Sequence, residues 1–296
     1  NEAYYQKYRE LYEEWLPCNN SVKSDAWHPY TVSLRIINLL VANELFASAL
    51  KEDSEFFSLV TNSLYIQFLF LEKNQEKHLL GNHYFENIKT LYIVSVYFND
   101  KWRQKKYAKK LLGVLQKQVL ADGMHYERSF MYQNILIGGL LRVYACSPNQ
   151  DFKSKILPYI RLMLDAANYM ENGLAKLPFF NDSAEGVAKT ILELDTSAKN
   201  LFCYDWSGQV KLLENSCYYR LNSGKLSLLI DGGKFCAAEQ PGHAHCDTLS
   251  FELFAEGRPV IVNSGVFLQN PVKMGCLQTL FCLQKSIFVT FCNVTL

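Results

Sequence analysis

The hydrophobic period of this chain changes once, and that change limits its possible folds more than any other feature. From the N-terminus to about residue 175, apolar residues recur at three- and four-residue intervals; after about Leu201 they alternate. The first pattern lays an apolar stripe along a helix, and the second lays one along a strand. A chain of 296 residues with this switch is long enough for two cores, one helical and one built on an antiparallel sheet.

The helical part divides at turn and capping residues. Helices are expected over Tyr4–Trp15, over Tyr30–Leu50 after Pro29, and over Glu55–Leu71 with Ser54 as cap. Others are expected over Asn82–Phe98, Lys101–Leu120, Phe130–Tyr144 and Asp151–Tyr169. Their similar lengths and short connections suit antiparallel pairs, as in a bundle or an α/α toroid. No strict internal repeat supports a solenoid. A turn-rich joint, Phe179–Ser183, follows Pro178, and a short helix is expected over Ala184–Leu194. Strand patterns then cover Ser216–Leu221, Lys225–Ile230, Leu249–Phe254 and Pro259–Val262, with turns at Asn222–Gly224 and Asp231–Gly233. The domains are therefore read as 1–200, helical, and 201–296, an antiparallel β-domain.

A net charge of +1 argues against a nucleic-acid binder working through a broad basic surface. No apolar run reaches the ~18 residues of a transmembrane helix. Asn1–Tyr8 is no signal peptide and carries no initiator Met, so the chain is expected to begin inside a longer precursor. The nine Cys form no CxxC pair and read as scattered thiols. The 18 Tyr and 19 Phe suit sugar-binding surfaces, although ordinary core packing accounts for most of them. Beyond Glu256 there is no Asp or Glu, and the few strands fall short of a sandwich, so the chain reads as truncated or altered after about residue 267.

Several stretches carry chemistry. His243, His245 and Asp247 alternate just before an apolar strand pattern, so on a strand they would share one face, with Gly242 allowing close approach. Asn82 follows Gly81 where a helix N-cap is needed. Ser129 is the expected cap of the next polar loop, which puts Tyr132 in the first helical turn, near the positive end of the helix dipole. Trp27 stands at a helix start with Arg35 beyond it, either as a sugar platform or as a core plug. Glu127 and Arg128 read as a surface pair.

Taken together, four ordered patterns resemble the heparinase II/III-like polysaccharide lyases. They are Trp27 to Arg35; Glu76-x-His78-Leu79-x-Gly81-Asn82-His83 with Glu86-Asn87; Asp122-Gly-x-His125-Tyr-Glu127-Arg-Ser129-x-Met-Tyr132; and Gly242-His243-x-His245-x-Asp247-x-Leu249-Ser250-Phe251. The segment Gly257–Gly265 also fits, and the likeness covers roughly residues 20–265. It implies an α/α toroid, incomplete here, followed by an antiparallel β-sandwich, with a site assembled from both. It also implies β-elimination on a uronic-acid-containing polysaccharide by a periplasmic or secreted enzyme. By the same resemblance Asn82 binds the uronate carboxylate with His83 assisting, Tyr132 is the catalytic tyrosine and His243 the catalytic histidine. Trp27, Arg35 and Glu127 are then substrate-binding candidates. No cofactor is required. In some relatives the second histidine, here His245, binds zinc with a later Asp and a further His. Asn263 stands at that Asp position and no His follows His245, so the zinc site is incomplete. Two further departures are Gln133 after Tyr132, where the family often has His, and no recognisable later strands after Phe267. The alternatives are a non-catalytic glycan-binding or capsule-associated relative, and a glycoside hydrolase using two of Glu127, Asp182 and Asp205.

Overall fold

The structure is a computed structural model and describes residues 2–19, 22–210, 212–233, 245, 247–263 and 290–291. The chain forms two compact units, Asn1–Leu111 and Leu112–Leu296.

The first unit contains α1 (Glu2–Cys18), a 3-10 turn (Asp25–Trp27), α2 (Pro29–Leu45), α3 (Ala47–Glu52), α4 (Ser54–Lys73), α5 (Gly81–Tyr97) and most of α6 (Lys101–Gln118). Pro29 opens α2 at its first turn, where a missing N–H costs nothing. The single helix expected over Tyr30–Leu50 is two, α2 and α3, divided at Phe46. The cap of α4 is Asp53, whose carboxylate accepts from Phe56 N–H at 3.1 Å; Ser54 is already helical. Phe56, Val60, Leu64, Phe68 and Leu71 give α4 an apolar buried stripe. By contrast, α5 is buried around most of its circumference, polar residues included.

The second unit continues from the end of α6 through α7 (Phe130–Cys146), α8 (Gln150–Glu171) and α9 (Ile191–Phe202). The short helix expected at Ala184–Leu194 lies later in the chain, because Thr190 forms a capping box with Glu193 and starts α9 at Ile191. The sheet follows with β1 (Tyr218–Ser223), β2 (Leu226–Asp231), β3 (Phe251–Ala255), β4 (Arg258–Val262) and β5 (Thr290–Phe291), each antiparallel to the next. A buried cluster joins helices to sheet within this unit: Phe130 from α7, Ala166 and Met170 from α8, Phe180 from the joint, and Tyr218, Leu229 and Phe254 from the strands. Helices first and an antiparallel sheet after is the order that the change of period requires.

Candidate active site

Polar side chains gather at two centres, one in each unit. In the first unit the chain turns sharply before α5, with Leu80 and Gly81 both at φ 55°. That start makes Leu80 the cap residue, without a side-chain bond, so Asn82 is the second helical residue and not the cap expected from sequence. Asn82 is buried in that first turn. Beside it in sequence, His83 directs Nδ1 at Glu76 Oε1, 2.8 Å away. Glu76 is 2% exposed and firmly held. Its backbone N–H donates to Asn87 Oδ1 at 2.8 Å, and Asn87 Nδ2 donates to its Oε2 at 3.0 Å. Asn87 also donates to Ser33 Oγ at 3.1 Å, which ties α5 to α2. Burial alone would raise the Glu76 carboxyl. The bonds from His83 and Asn87 and the charges of His83 and His28 outweigh it, and the group lies below its ordinary value. An ionised carboxylate only accepts, so Nδ1 carries the hydrogen and Nε2 is the free nitrogen of His83. The Tyr30 ring stacks on the imidazole at 4.3 Å, and His28 Nε2 lies 3.6 Å from the same Glu76 oxygen.

Trp27 is a core plug and not a sugar platform: it is 8% exposed, donates Nε1–H to Asn19 O at 2.7 Å and packs edge-on against Phe70. Arg35 is committed to structure. It donates to Gln67 Oε1 and Ala26 O and lies over the Trp15 ring at 4.6 Å, bordering an open groove of about 680 Å³.

In the second unit Ser129 caps α7 as expected, accepting from Tyr132 N–H at 3.2 Å. Tyr132 thus sits in the first turn, and its phenol donates to Asp182 Oδ2 at 2.7 Å. Asp182 is held in turn by its carbonyl, which accepts from Ser129 Oγ at 2.8 Å. The rings of Phe130 and Phe180, two residues before Tyr132 and Asp182, both pack against Tyr218. The aromatic core therefore fixes both ends of the Tyr132–Asp182 bond. From sequence, Asp182 is a candidate only as a hydrolase carboxyl. Nothing in the sequence pairs it with a tyrosine fifty residues earlier, just as nothing pairs Glu76 with His83 across the turn at Leu80. Glu127 is buried, not a surface residue.

Asn181 organises the neighbouring loops. It donates Nδ2–H to Arg128 O and Tyr218 Oη, and N–H to Asp247 Oδ2 at 2.5 Å; its Oδ1 accepts from His245 N–H. His243 lies outside the described residues. His245 and Asp247 are not in a strand, as the alternation suggested, but in the loop before β3, which begins at Phe251. His245 Nδ1 and Asp247 Oδ2 are 4.0 Å apart. Among the described residues no three His, Cys, Asp or Glu converge; Asp247 is bonded to the Asn181 amide, and the Asn263 amide donates to Glu252 Oε1.

Residues 1–206 match the family Heparinase II/III N-terminus, and residues 207–274 match Heparinase II/III-like, C-terminal. The chain belongs to the heparinase II/III family. It is 26% identical over 302 residues to the heparin-sulfate lyase of Pedobacter heparinus, covering 90% of this chain and 45% of that protein. It superposes on the crystal structure of heparinase III with a TM-score of 0.73 at 20% identity, covering 90% of this chain and 47% of that one. For heparan sulfate lyase HepC from Pedobacter heparinus the values are 0.63, 20%, 96% and 49%. The chain thus spans about half the length of the relatives it matches. These likenesses show its fold class, helices of an α/α toroid followed by antiparallel β-sandwich strands. Among the described residues no helix is long and apolar enough to cross a membrane.

Proposed function

We propose that this protein is a polysaccharide lyase that cleaves a uronic-acid-containing polysaccharide by β-elimination, working outside the cytoplasm where such polymers are met. We also read residues 1–200 as its helical domain and 201–296 as its β-domain. The C5 proton of a uronate is hard to remove while the adjacent carboxylate keeps its full charge. Donors that hold the carboxylate stabilise the enolate that develops. Asn82 takes that role, and His83 assists as the imidazolium, the form in which Nε2 carries a hydrogen to donate while Nδ1–H stays on Glu76. Tyr132 accepts the C5 proton, the C5–H electrons become the C4–C5 double bond, and the C4–O bond breaks. His243, as the imidazolium, gives the leaving oxygen its proton. A phenol ionises near pH 10 in water, so a tyrosine base at neutral pH needs somewhere to send its own proton. Asp182 provides that place. The 2.7 Å bond from Tyr132 to Asp182 is the observation that carries this reading.

The roles are tested by incubating the protein with a panel of uronic-acid polysaccharides and following the ultraviolet absorbance of the unsaturated product. Wild type should generate it; Tyr132→Phe should bind the polymer and leave it intact. New reducing ends without ultraviolet absorbance would instead indicate a hydrolase, and binding without cleavage by wild type would indicate a glycan-binding relative.

A further inference from the structure

We propose that the exposed face of α6 binds an anionic polysaccharide chain, through residues that take no part in the elimination. The first ten residues of α6 hold Lys101, Arg103, Lys105, Lys106, Lys109 and Lys110 and no Asp or Glu. The chain as a whole has 30 Lys and Arg against 29 Asp and Glu, so 6 of 30, a fifth of its cations, lie in this one segment.

These cations form two tiers. Arg103 and Lys106 are tied to Glu72 at 2.8 and 2.9 Å, and Lys110 donates to Gln75 Oε1 at 3.1 Å. Lys101, Lys105 and Lys109 are exposed, and among the described residues none has an acidic partner. They recur every fourth residue, about 6 Å apart along the axis, as a straight row. Like charges at that spacing repel and weaken a helix. A solvated helix with no partner has no need of such a row. Lys77, exposed on the preceding turn, extends the patch. Burial lowers the Lys110 ammonium first, and the charges of Lys77 and Lys106 lower it further, so these three cations share one field. In the same turn Trp102 is 66% exposed, with Lys106 Nζ 4.7 Å and Arg103 Cζ 5.8 Å from its ring centroid. An open indole beside a row of ammonium groups fits a polymer that alternates apolar ring faces with anionic substituents. The choice of a polysaccharide as that polyanion rests on the lyase reading; the anion-binding face itself does not.

The test uses dextran sulfate, a polyanion without uronic acid and so not a lyase substrate. Its outcome is independent of whether unsaturated product ever forms. Wild type should bind it, and K101E/K105E/K109E should bind at least about tenfold more weakly with unchanged circular dichroism. Trp102→Ala should weaken binding further on a sulfated polysaccharide. The same charge change made at the exposed Lys51, Lys189 and Lys199 should leave affinity within about twofold of wild type, which separates a local site from net charge. Equal affinity of the α6 variant and wild type would overturn the proposal. So would tighter binding, at equal ionic strength, to duplex DNA or to phosphatidylserine vesicles than to dextran sulfate.

Discussion

His83 Nδ1 and Glu76 Oε1 share a 2.8 Å hydrogen bond, and Glu76 is itself fixed through both its backbone and its other oxygen by Asn87. The bond sets which nitrogen of His83 is available. Removing it in Glu76→Ala should let the neutral imidazole adopt the Nε2–H form, seen as exchanged ¹⁵N shifts of the two His83 ring nitrogens. Turnover should fall by about tenfold or more, short of the ~10²–10⁴ lost with an acid–base group itself, because Glu76 acts only through His83. Glu76→Gln, which keeps an acceptor oxygen, should retain more of both properties than the alanine variant.

The Tyr132–Asp182 bond carries a different expectation. Asp182→Asn preserves shape and removes the proton acceptor. Its kcat at neutral pH should drop by about 10²-fold and recover as pH rises toward phenol ionisation, because a phenolate needs no acceptor. A purely structural role for Asp182 would give a loss that does not change with pH. The pH–rate profiles of Asp182→Asn and wild type decide between the two.

Two buried carboxyls should tilt stability with pH in opposite directions. Burial pushes Glu252 up to about 7, with backbone bonds from Phe179 and Asn263 resisting and the Asp247 charge adding to the rise. Between its unfolded value near 4.5 and 7 the folded protein holds the extra proton, so stability falls as pH rises, by up to ~1.4 kcal/mol per pH unit. Glu252→Gln should flatten that slope in denaturant titrations. Glu76 is lowered, so its contribution is present above its unfolded value and is lost as pH falls through the folded one. Glu76→Gln should therefore flatten the acid end of the curve.

Gly123 should tolerate no side chain. Its φ is +91°, and a Cβ there would lie 2.2 Å from the Leu162 carbonyl oxygen on α8. Gly123→Ala combines backbone strain of ~1–3 kcal/mol with a clash against rigid backbone. Chemical denaturation should show a loss of several kcal/mol.

Much of this architecture is legible in the residues because it depends on local rules. Ser129 caps α7 because a hydroxyl can reach the N–H of Tyr132, and the sequence shows that spacing directly. The four strands before residue 263 follow from alternation between turn residues. Less legible were features set by contacts distant in sequence. Trp27 could be a platform or a plug, and only its packing against Phe70 decides. Asn82 looks like a cap until Leu80 and Gly81 adopt positive φ and start the helix at Gly81, two residues earlier than a cap at Asn82 would. The alternation of His245 and Asp247 suggests a strand, yet the Asn181 amide holds Asp247 in a loop. Glu76 and Asp182, the carboxylates that orient His83 and Tyr132, come from turns whose return paths no local pattern encodes.

The proposed chemistry is β-elimination with Tyr132 as base. It is tested most directly by the ultraviolet absorbance of the unsaturated uronate formed from a uronic-acid polysaccharide, compared between wild type and Tyr132→Phe at equal protein concentration. The account expects the signal to grow with wild type and to be lost, ~10²-fold or more, in the variant that still binds the polymer. A Tyr132→Phe protein that forms unsaturated product at the wild-type rate would contradict it.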